Sequence, residues 1–319
     1  MLPLWNKISA RLTGSRACLG LSIGRDSLRA ARVSVVEKGL HIDWVMMEHL
    51  PARLFTGSVS AEIQAALTAA IGKLCAPAKN SYLPVQVGLP DPAVSALVFE
   101  LDTLPKERQA QLDLVRWRFA KSLHLDENKI ECASQPLGSE DGKQLLLGLA
   151  TDKTWLQCVR QALKEAGVVA AIIDMDACHR FNRFYTLLTA EKQDGALAYI
   201  DRDAWSLAIW DSQGRLRFIR SRWREDTAVQ ALAAECQEIA TEVERAIRAY
   251  ARPGASRAVA HVFITGPEND VGQLAAILDE RMHGQPRMLT QEEGFLYESR
   301  SFLANASMIG PALTAAIAR

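Results

Sequence analysis

Apolar and polar positions along the chain switch several times between a period of two and a period near 3.6, the marks of strands and of amphipathic helices. Cys18 to Val45 reads as three strands, with corners at Gly24 and at Lys38-Gly39. Ala196 to Arg222, "ALAYIDRDAWSLAIWDSQGRLRFIRSR", repeats that punctuation: strand, tight corner, strand, polar turn, strand. At the first corner "IGRDSLRAARV" and "IDRDAWSLAIW" share Ile-x-Arg-Asp, and Asp201 stands where the first copy has Gly24.

Between and after these meanders the helical period returns. Ser60 is an N-cap for "AEIQAALTAAIGKL", with Ile63, Leu67 and Leu74 on one face. The strands "VQVGLP" and "VSALVFEL" flank the Pro90-Asp91-Pro92 turn. Asp102 or Thr103 with Pro105 is expected to open the helix "PKERQAQLDLVRWRFAKSLHL", lined by Leu112, Val115 and Phe119. "QLLLGLAT" and "VVAAIIDMD" are continuous apolar runs, expected as buried strands. The helix between them turns Leu156, Val159 and Leu163 inward and stops at Gly167, and the next begins near Asp176. A long helix from about Thr227 to Arg252 carries the stripe Leu232, Cys236, Ile239, Val243, Ile247 and Tyr250. Glu235, Glu238, Glu242, Arg245 and Arg248 fall on its solvated side. The strand "AVAHVFITG", the helix "VGQLAAILDERM" and a terminal helix "PALTAAIAR" follow. Each half therefore runs from a meander to a helix and a strand–helix unit, an internal duplication of an α/β unit.

The length of 319 residues suggests two domains or lobes. Lys plus Arg and Asp plus Glu both number 37, with no basic surplus or stripe, which sets nucleic-acid binding aside. The six cysteines (Cys18, Cys75, Cys132, Cys158, Cys178, Cys236) form no Cys-x-x-Cys and read as free thiols of a reducing compartment, not zinc ligands. No apolar run approaches the ~18 residues that span a bilayer. "MLPLWNKISARL", interrupted by Pro3, Asn6 and Lys7, lacks a signal-peptide core, so a cytoplasmic location is expected. With Leu2, Leu4, Trp5, Ile8 and Leu12 beside Lys7 and Arg11, the same segment reads as a short amphipathic helix on a membrane or a neighbouring subunit. Disorder or packing on the parent lobe is the equal alternative.

The duplicated meander with crossover helices resembles the actin-like ATPase (ribonuclease H-like) α/β fold, whose two lobes each hold a phosphate loop at the corner after the first strand. Within that superfamily the chain resembles the PilM family of type IV pilus assembly proteins, above all the shortened branch of mannose-sensitive haemagglutinin pili (MshI-like). The cytoplasmic part of the type II secretion protein GspL is related. The resemblance runs from about Leu19 to Arg319 through "VQVGLPDPAVSALVFELDTLP", "EAGVVAAIIDMDACHRFNRF", "GRLRFIRS", "EIATEVERAIRAY", "VFITGPENDVGQLAAIL" and "SMIGPALTAAIAR". It implies an N-terminal segment (1–15) and a first lobe (16–190) with an inserted subdomain at about 83–151. A second lobe (191–308) and a C-terminal helix (309–319) packing back on the first lobe complete the chain. One departure stands out: few residues separate Arg220 from the helix of Glu244, where PilM proteins carry a larger segment with Gly-Gly and a helical subdomain.

Actin-like sites use an Asp at the end of the first strand of each half, then a Gly and small hydroxyl residues whose backbone N–H groups close on phosphate. In the first half that pattern becomes Ser22-Ile23-Gly24, followed by the bulky Arg25-Asp26; in the second it becomes Tyr199-Ile200-Asp201. The adenosine corner, Thr265-Gly266-Pro267, keeps one of two usual glycines. A carboxylate close to a triphosphate costs about 1 kcal/mol per charge pair in water and several-fold more near a protein surface. Ser22, Gly24, Arg25, Asp26, Tyr199, Asp201 and Gly266 are thus expected as the remnant of a nucleotide site, with no catalytic residue, no metal ligand and no bound ATP or magnesium. In the plainer alternative Gly24 merely allows a tight corner, and Asp201 and Asp203 are turn acceptors.

The resemblance implies a cytoplasmic scaffold, peripheral to the inner membrane. It would bind the N-terminal tail of a PilN-like single-pass partner in a groove beside the inserted subdomain and link it to the assembly motor. Trp117 and Phe119 are the candidate groove residues. The alternatives are an active actin-like ATPase or small-molecule kinase, or a type II secretion platform component. Arg215, Arg217, Arg220, Arg222 and Arg224 alternate along one strand, with a change of parity between Arg217 and Arg220 that suggests a bulge. They read as a solvated strand face or as a patch for an acidic partner. His179 reads as structural.

Overall fold

Backbone donors along the two meanders need partners, and in the computed structural model the meander strands pair in two sheets of the same plan. The structure describes residues 17–36, 39–81, 85–124, 126–224, 232–251, 258–282 and 286–289. The N-terminal segment and the C-terminal helix expected from the sequence lie outside them.

The first meander is β1 (Ala17–Ile23), β2 (Ser27–Val36) and β3 (Gly39–His49). Its sheet is completed by β4 (Val85–Leu89) and β8 (Ala170–Met175) in the order β3-β2-β1-β4-β8. The second is β9 (Gly195–Ile200), β10 (Ala204–Trp210) and β11 (Leu216–Trp223), joined by β12 (His261–Thr265) and β13 (Arg287–Met288) in the order β11-β10-β9-β12-β13. In both sheets the meander is antiparallel and the added strands run parallel to the first meander strand. The corners coincide in detail. Gly24 N–H donates to Ser27 O and Asp201 N–H donates to Ala204 O, each at 2.8 Å. The chain after the third strand returns alike, Leu50 N–H to Asp26 O at 2.8 Å and Arg224 N–H to Asp203 O at 2.9 Å.

Helix α1 (Ala61–Cys75) starts where expected: Ser60 Oγ accepts from Ile63 N–H, and Leu67, Ile71 and Leu74 are buried. Helices α3 (Lys153–Glu165) and α4 (Asp176–Leu188) flank β8. That strand is half-buried, not the buried strand expected, because it forms the sheet's edge, and Val169 just before it is 72% exposed. In the second sheet, α5 (Leu232–Tyr250) and α6 (Glu268–Met282) cover a core of Ile200, Leu207, Ile209, Cys236, Ile239 and Val243.

The segment after Pro90 forms a third sheet, β5 (Val94–Leu101), β6 (Ile130–Glu140) and β7 (Lys143–Asp152) in the order β5-β7-β6, with helix α2 (Arg108–Leu123) packed on it. Pro105 does not open α2. The helix starts at Arg108 behind Glu107, and the Pro105 carbonyl instead accepts from Gln111 Nε2 at 2.8 Å. Although this segment interrupts the first repeat in the chain, it belongs to the compact unit of the second. One unit holds the described residues up to Pro90 and Gln157–Arg183; the other holds Asp91–Leu156 and the described residues from Phe184 to Leu289.

The arginines of β11 explain that membership. Arg215, Arg217 and Arg224 are not a solvated face, because their side chains are buried and their charges are matched inside the unit, whereas the side chains of Arg220 and Arg222 stay partly in solvent. Ile209 pairs with Phe218 and Trp210 with Leu216, so Arg217 is the extra residue of a bulge, close to where the change of parity predicts one. The Arg217 side chain is 3% exposed and meets Glu100 of β5 at 2.7 Å and Glu140 of β6 at 2.8 Å. Arg215 meets Glu140 at 3.0 Å and Asp211 at 2.8 Å, and donates to the Ser139 carbonyl. Arg220 holds Glu242 of α5 at 3.0 Å, which buries a carboxylate that helical periodicity assigns to solvent.

Arg217→Ala leaves Glu140 and the buried Asp211 short of a cation and is expected to destabilise the chain by about 2–3 kcal/mol in urea denaturation. Arg222→Ala, at a half-exposed side chain 3.7 Å from Glu242, is expected to cost about 0.5 kcal/mol or less.

Candidate functional site

In open α/β sheets, ligands bind beyond the carboxyl ends of the strands, which is where the sequence-predicted residues lie. Ser22, Gly24, Arg25 and Asp26 occupy the end of β1 and its corner to β2; Tyr199 and Asp201 occupy the end of β9 and its corner to β10; Gly266 follows β12.

In the first unit the corner is closed by an internal carboxylate. Ser22 is buried, and its Oγ donates to Asp176 Oδ2 at 3.1 Å. Ser22 pairs with Gly88 of β4, and a Cβ added at Gly88 would stand 1.8 Å from Asp176 Oδ1. Glycine is therefore required at position 88 to admit the Asp176 side chain over the strand ends. Asp176 was not among the residues expected at the site. Its signal was faint: it is the first helical residue after an apolar strand that ends at the same sheet edge. His179, one turn further along α4, is buried, with Nε2 3.4 Å from the Val87 carbonyl. Burial, reinforced by Arg180 and opposed by that carbonyl, pushes its pKa down to about 4.

In the second unit the equivalent corner is organised by an arginine. Arg224 donates to Glu235 at 2.9 and 2.7 Å, to Asp270 at 2.6 Å and to the main-chain carbonyl of Asp201 at 2.7 Å. Burial works against its charge, but the hydrogen bonds and charges of Glu235 and Asp270 outweigh burial and raise its pKa. Asp201 Oδ1 accepts from Arg202 N–H at 2.8 Å, a turn-acceptor geometry, while Tyr199 is buried and pairs with Thr265. Gly266 has φ +150°, and a Cβ there would approach the Ile200 carbonyl to 2.3 Å, so β9 and the end of β12 meet backbone to backbone.

A magnesium–phosphate group asks for free carboxylates and small residues at these corners. The chain presents a serine, a tyrosine, an arginine and an aspartate, with the nearby Asp176 accepting from Ser22. Among the described residues no group of three or more His, Cys, Asp or Glu could hold a metal ion. None of the six cysteines is in a disulfide, and burial, aided by Asp270, pushes the Cys236 thiol up to about 11, away from a nucleophilic thiolate.

The two candidate groove residues separate. Trp117 is 47% exposed on α2. Phe119 is fully buried and stacks edge-on against Phe99 with ring centroids 5.9 Å apart, so it is a core residue with no surface to offer a partner. Among the described residues no helix is long and apolar enough to cross a membrane.

No family model matches the sequence, and no curated protein does. Solved structures do. A chain of the PilM–PilN type IV pilus biogenesis complex matches with a TM-score of 0.70 at 18% identity, over 94% of this chain and 97% of that one. A Bacteroides thetaiotaomicron protein of unknown function with an actin-like ATPase fold matches at 0.53 and 10% identity, over 91% and 96%. The ethanolamine utilization protein EutJ from Carboxydothermus hydrogenoformans matches at 0.50 and 8%, over 95% and 88%.

Two predictions follow from these corners. The unfolded chain protonates His179 near pH 6.5, the folded chain only near 4. The unfolded state holds the extra proton in between, so stability falls as pH drops through that window, by about 3 kcal/mol in full. His179→Gln is expected to flatten this part of the pH dependence when denaturation at pH 7 and pH 4.5 is compared with wild type. Arg224→Met strands two carboxylates and is expected to cost about 3 kcal/mol, part of it recovered by adding Glu235→Gln and Asp270→Asn. With its two matching sheets, matching corners and these structural counterparts, the chain has the actin-like ATPase fold.

Proposed function

We propose that this chain is a cytoplasmic scaffold of a type IV pilus assembly platform, of the mannose-sensitive haemagglutinin kind, that has kept the actin-like clamp for its shape and not for nucleotide chemistry. The observation that carries this reading is the pair of corners. Both keep their backbone closure, while Ser22, Tyr199 and Asp201 replace the acid, acid and glycine that hold magnesium and phosphate. Asp201 would face a triphosphate with like charge, and Ser22 is engaged by Asp176. The likeness to a chain of the PilM–PilN complex supports the partner: the N-terminal tail of a PilN-like single-pass inner-membrane protein, which tethers this chain peripherally to that membrane. The assembly motor is the further contact. An extended tail would bind through apolar anchors and backbone hydrogen bonds along a groove or sheet edge.

The rival reading, an active actin-like ATPase or kinase, rests on Asp176, a buried carboxylate at the strand ends of the first unit. One set of measurements separates the two. Thermal melts of the full chain with millimolar Mg-ATP are expected to show no shift, because a ligand at about a hundred times its Kd would stabilise the native state by about 2.7 kcal/mol. Calorimetric titration with N-terminal peptides of candidate inner-membrane partners is expected to show saturable binding. A nucleotide-dependent rise in Tm, or phosphate release lost in Asp176→Asn, would overturn the scaffold reading.

A further inference from the structure

The net charge of the chain is zero, yet Lys106 to Leu123 carries five basic residues and two acids, a local net charge of +3. One acid, Asp113, is held by Arg116 at 2.9 Å. Lys106, Arg108, Arg118 and Lys121 enter no ion pair among the described residues, unlike the arginines of β11. Trp117 stands on the side of α2 opposite the buried Val115 and Phe119. Two of these cations lie against its ring, the Arg118 guanidinium at 5.5 Å and the Lys121 ammonium at 5.1 Å from the centroid. Leu123, at the end of the helix, is 42% exposed.

We infer that this outward face of α2 is a contact surface for an anionic lipid bilayer. An indole with an apolar body and a polar N–H is favoured at the headgroup level, and long basic side chains reach phosphates while their stems lie on apolar surface. Each such cation adds to the attraction of an anionic leaflet. The shape favours a lipid surface over an acidic peptide. A peptide is gripped by a groove or a strand edge, whereas this face is the solvent side of a helix. A cavity of about 190 Å³ in the same sheet, lined by Ala93, Ser95, Ile130 and Ala150 among others, includes no residue of α2. The contact is weak by itself, since stable peripheral anchoring needs a second signal. In the proposed scaffold role, a membrane-anchored partner supplies that second signal, so this surface deepens that reading and names where the chain meets lipid.

The test uses the purified full chain without any partner. Flotation is measured with vesicles of phosphatidylcholine and with vesicles containing about a third phosphatidylglycerol. Binding is expected only with the anionic lipid, falling steeply as salt rises from about 0.1 to 0.5 M. Arg118→Gln with Lys121→Gln is expected to weaken it on the order of tenfold or more, and Trp117→Ala severalfold, with unchanged melting temperatures because these side chains are exposed. No phosphatidylglycerol-dependent flotation overturns the inference. So does flotation that the α2 variants leave unaltered, which would place the contact elsewhere in the chain, such as the first twelve residues. Saturable binding of an acidic peptide through Trp117 without flotation assigns the face to a protein and overturns it as well. The two flotation outcomes leave partner-tail binding, measured separately in solution, as it was.

Discussion

A buried cation cannot be left without an anion, and the second unit is arranged around that constraint. Edge strand β11 and the residues flanking it carry arginines in both directions. Arg215 and Arg217 reach the sheet of β5, β6 and β7, while Arg224 reaches helices α5 and α6. Desolvating these side chains is costly, so each pair contributes less net stability than its short distances suggest; breaking one, however, leaves a charge stranded in low dielectric. The arrangement therefore acts mainly on specificity. It selects one register for β11 and one seat for the inserted sheet, and it blunts an edge strand that would otherwise invite another chain.

The repeat was legible because periodicity is local. Three strands with corners at Gly24 and Asp201, the Ser60 cap, the stripe of α5 and the bulge near Arg217 can all be read from residues a few positions apart. What the sequence hid is long-range pairing. Arg217 finds Glu100 at a separation of 117 residues and Arg215 finds Glu140 at 75, and no pattern within either segment announces the other. Glu242 looked solvated for the same reason: helical phase assigned it outward, and a strand from elsewhere covers it. Asp176 and Gly88 illustrate the difficulty at the site. A small residue in one strand and an acid opening a helix 88 positions later gain meaning only when their atoms compete for one space.

The two corners express the fold's economy. In each, three residues and one main-chain hydrogen bond turn the chain, independent of the side chains above. That independence lets the backbone persist while side-chain chemistry diverges: Ser22 against an internal carboxylate in one unit, Asp201 beside an internal guanidinium in the other. Each corner is thereby stabilised by charges of its own unit.

The interleaving of the two units along the chain has a consequence for how the molecule is made. Among the described residues, the first needs those up to Pro90 and again Gln157 to Arg183, and the second needs Asp91–Leu156 and then those from Phe184 to Leu289. No single cleavage of the polypeptide releases one intact unit. On the ribosome, the β5–β7–β6 sheet emerges well before β11, so Glu100 and Glu140 wait in solvent for the arginines that will neutralise them. Completion of the second unit is thus tied to late synthesis, and a prematurely terminated chain exposes both an unfinished sheet edge and uncompensated acid.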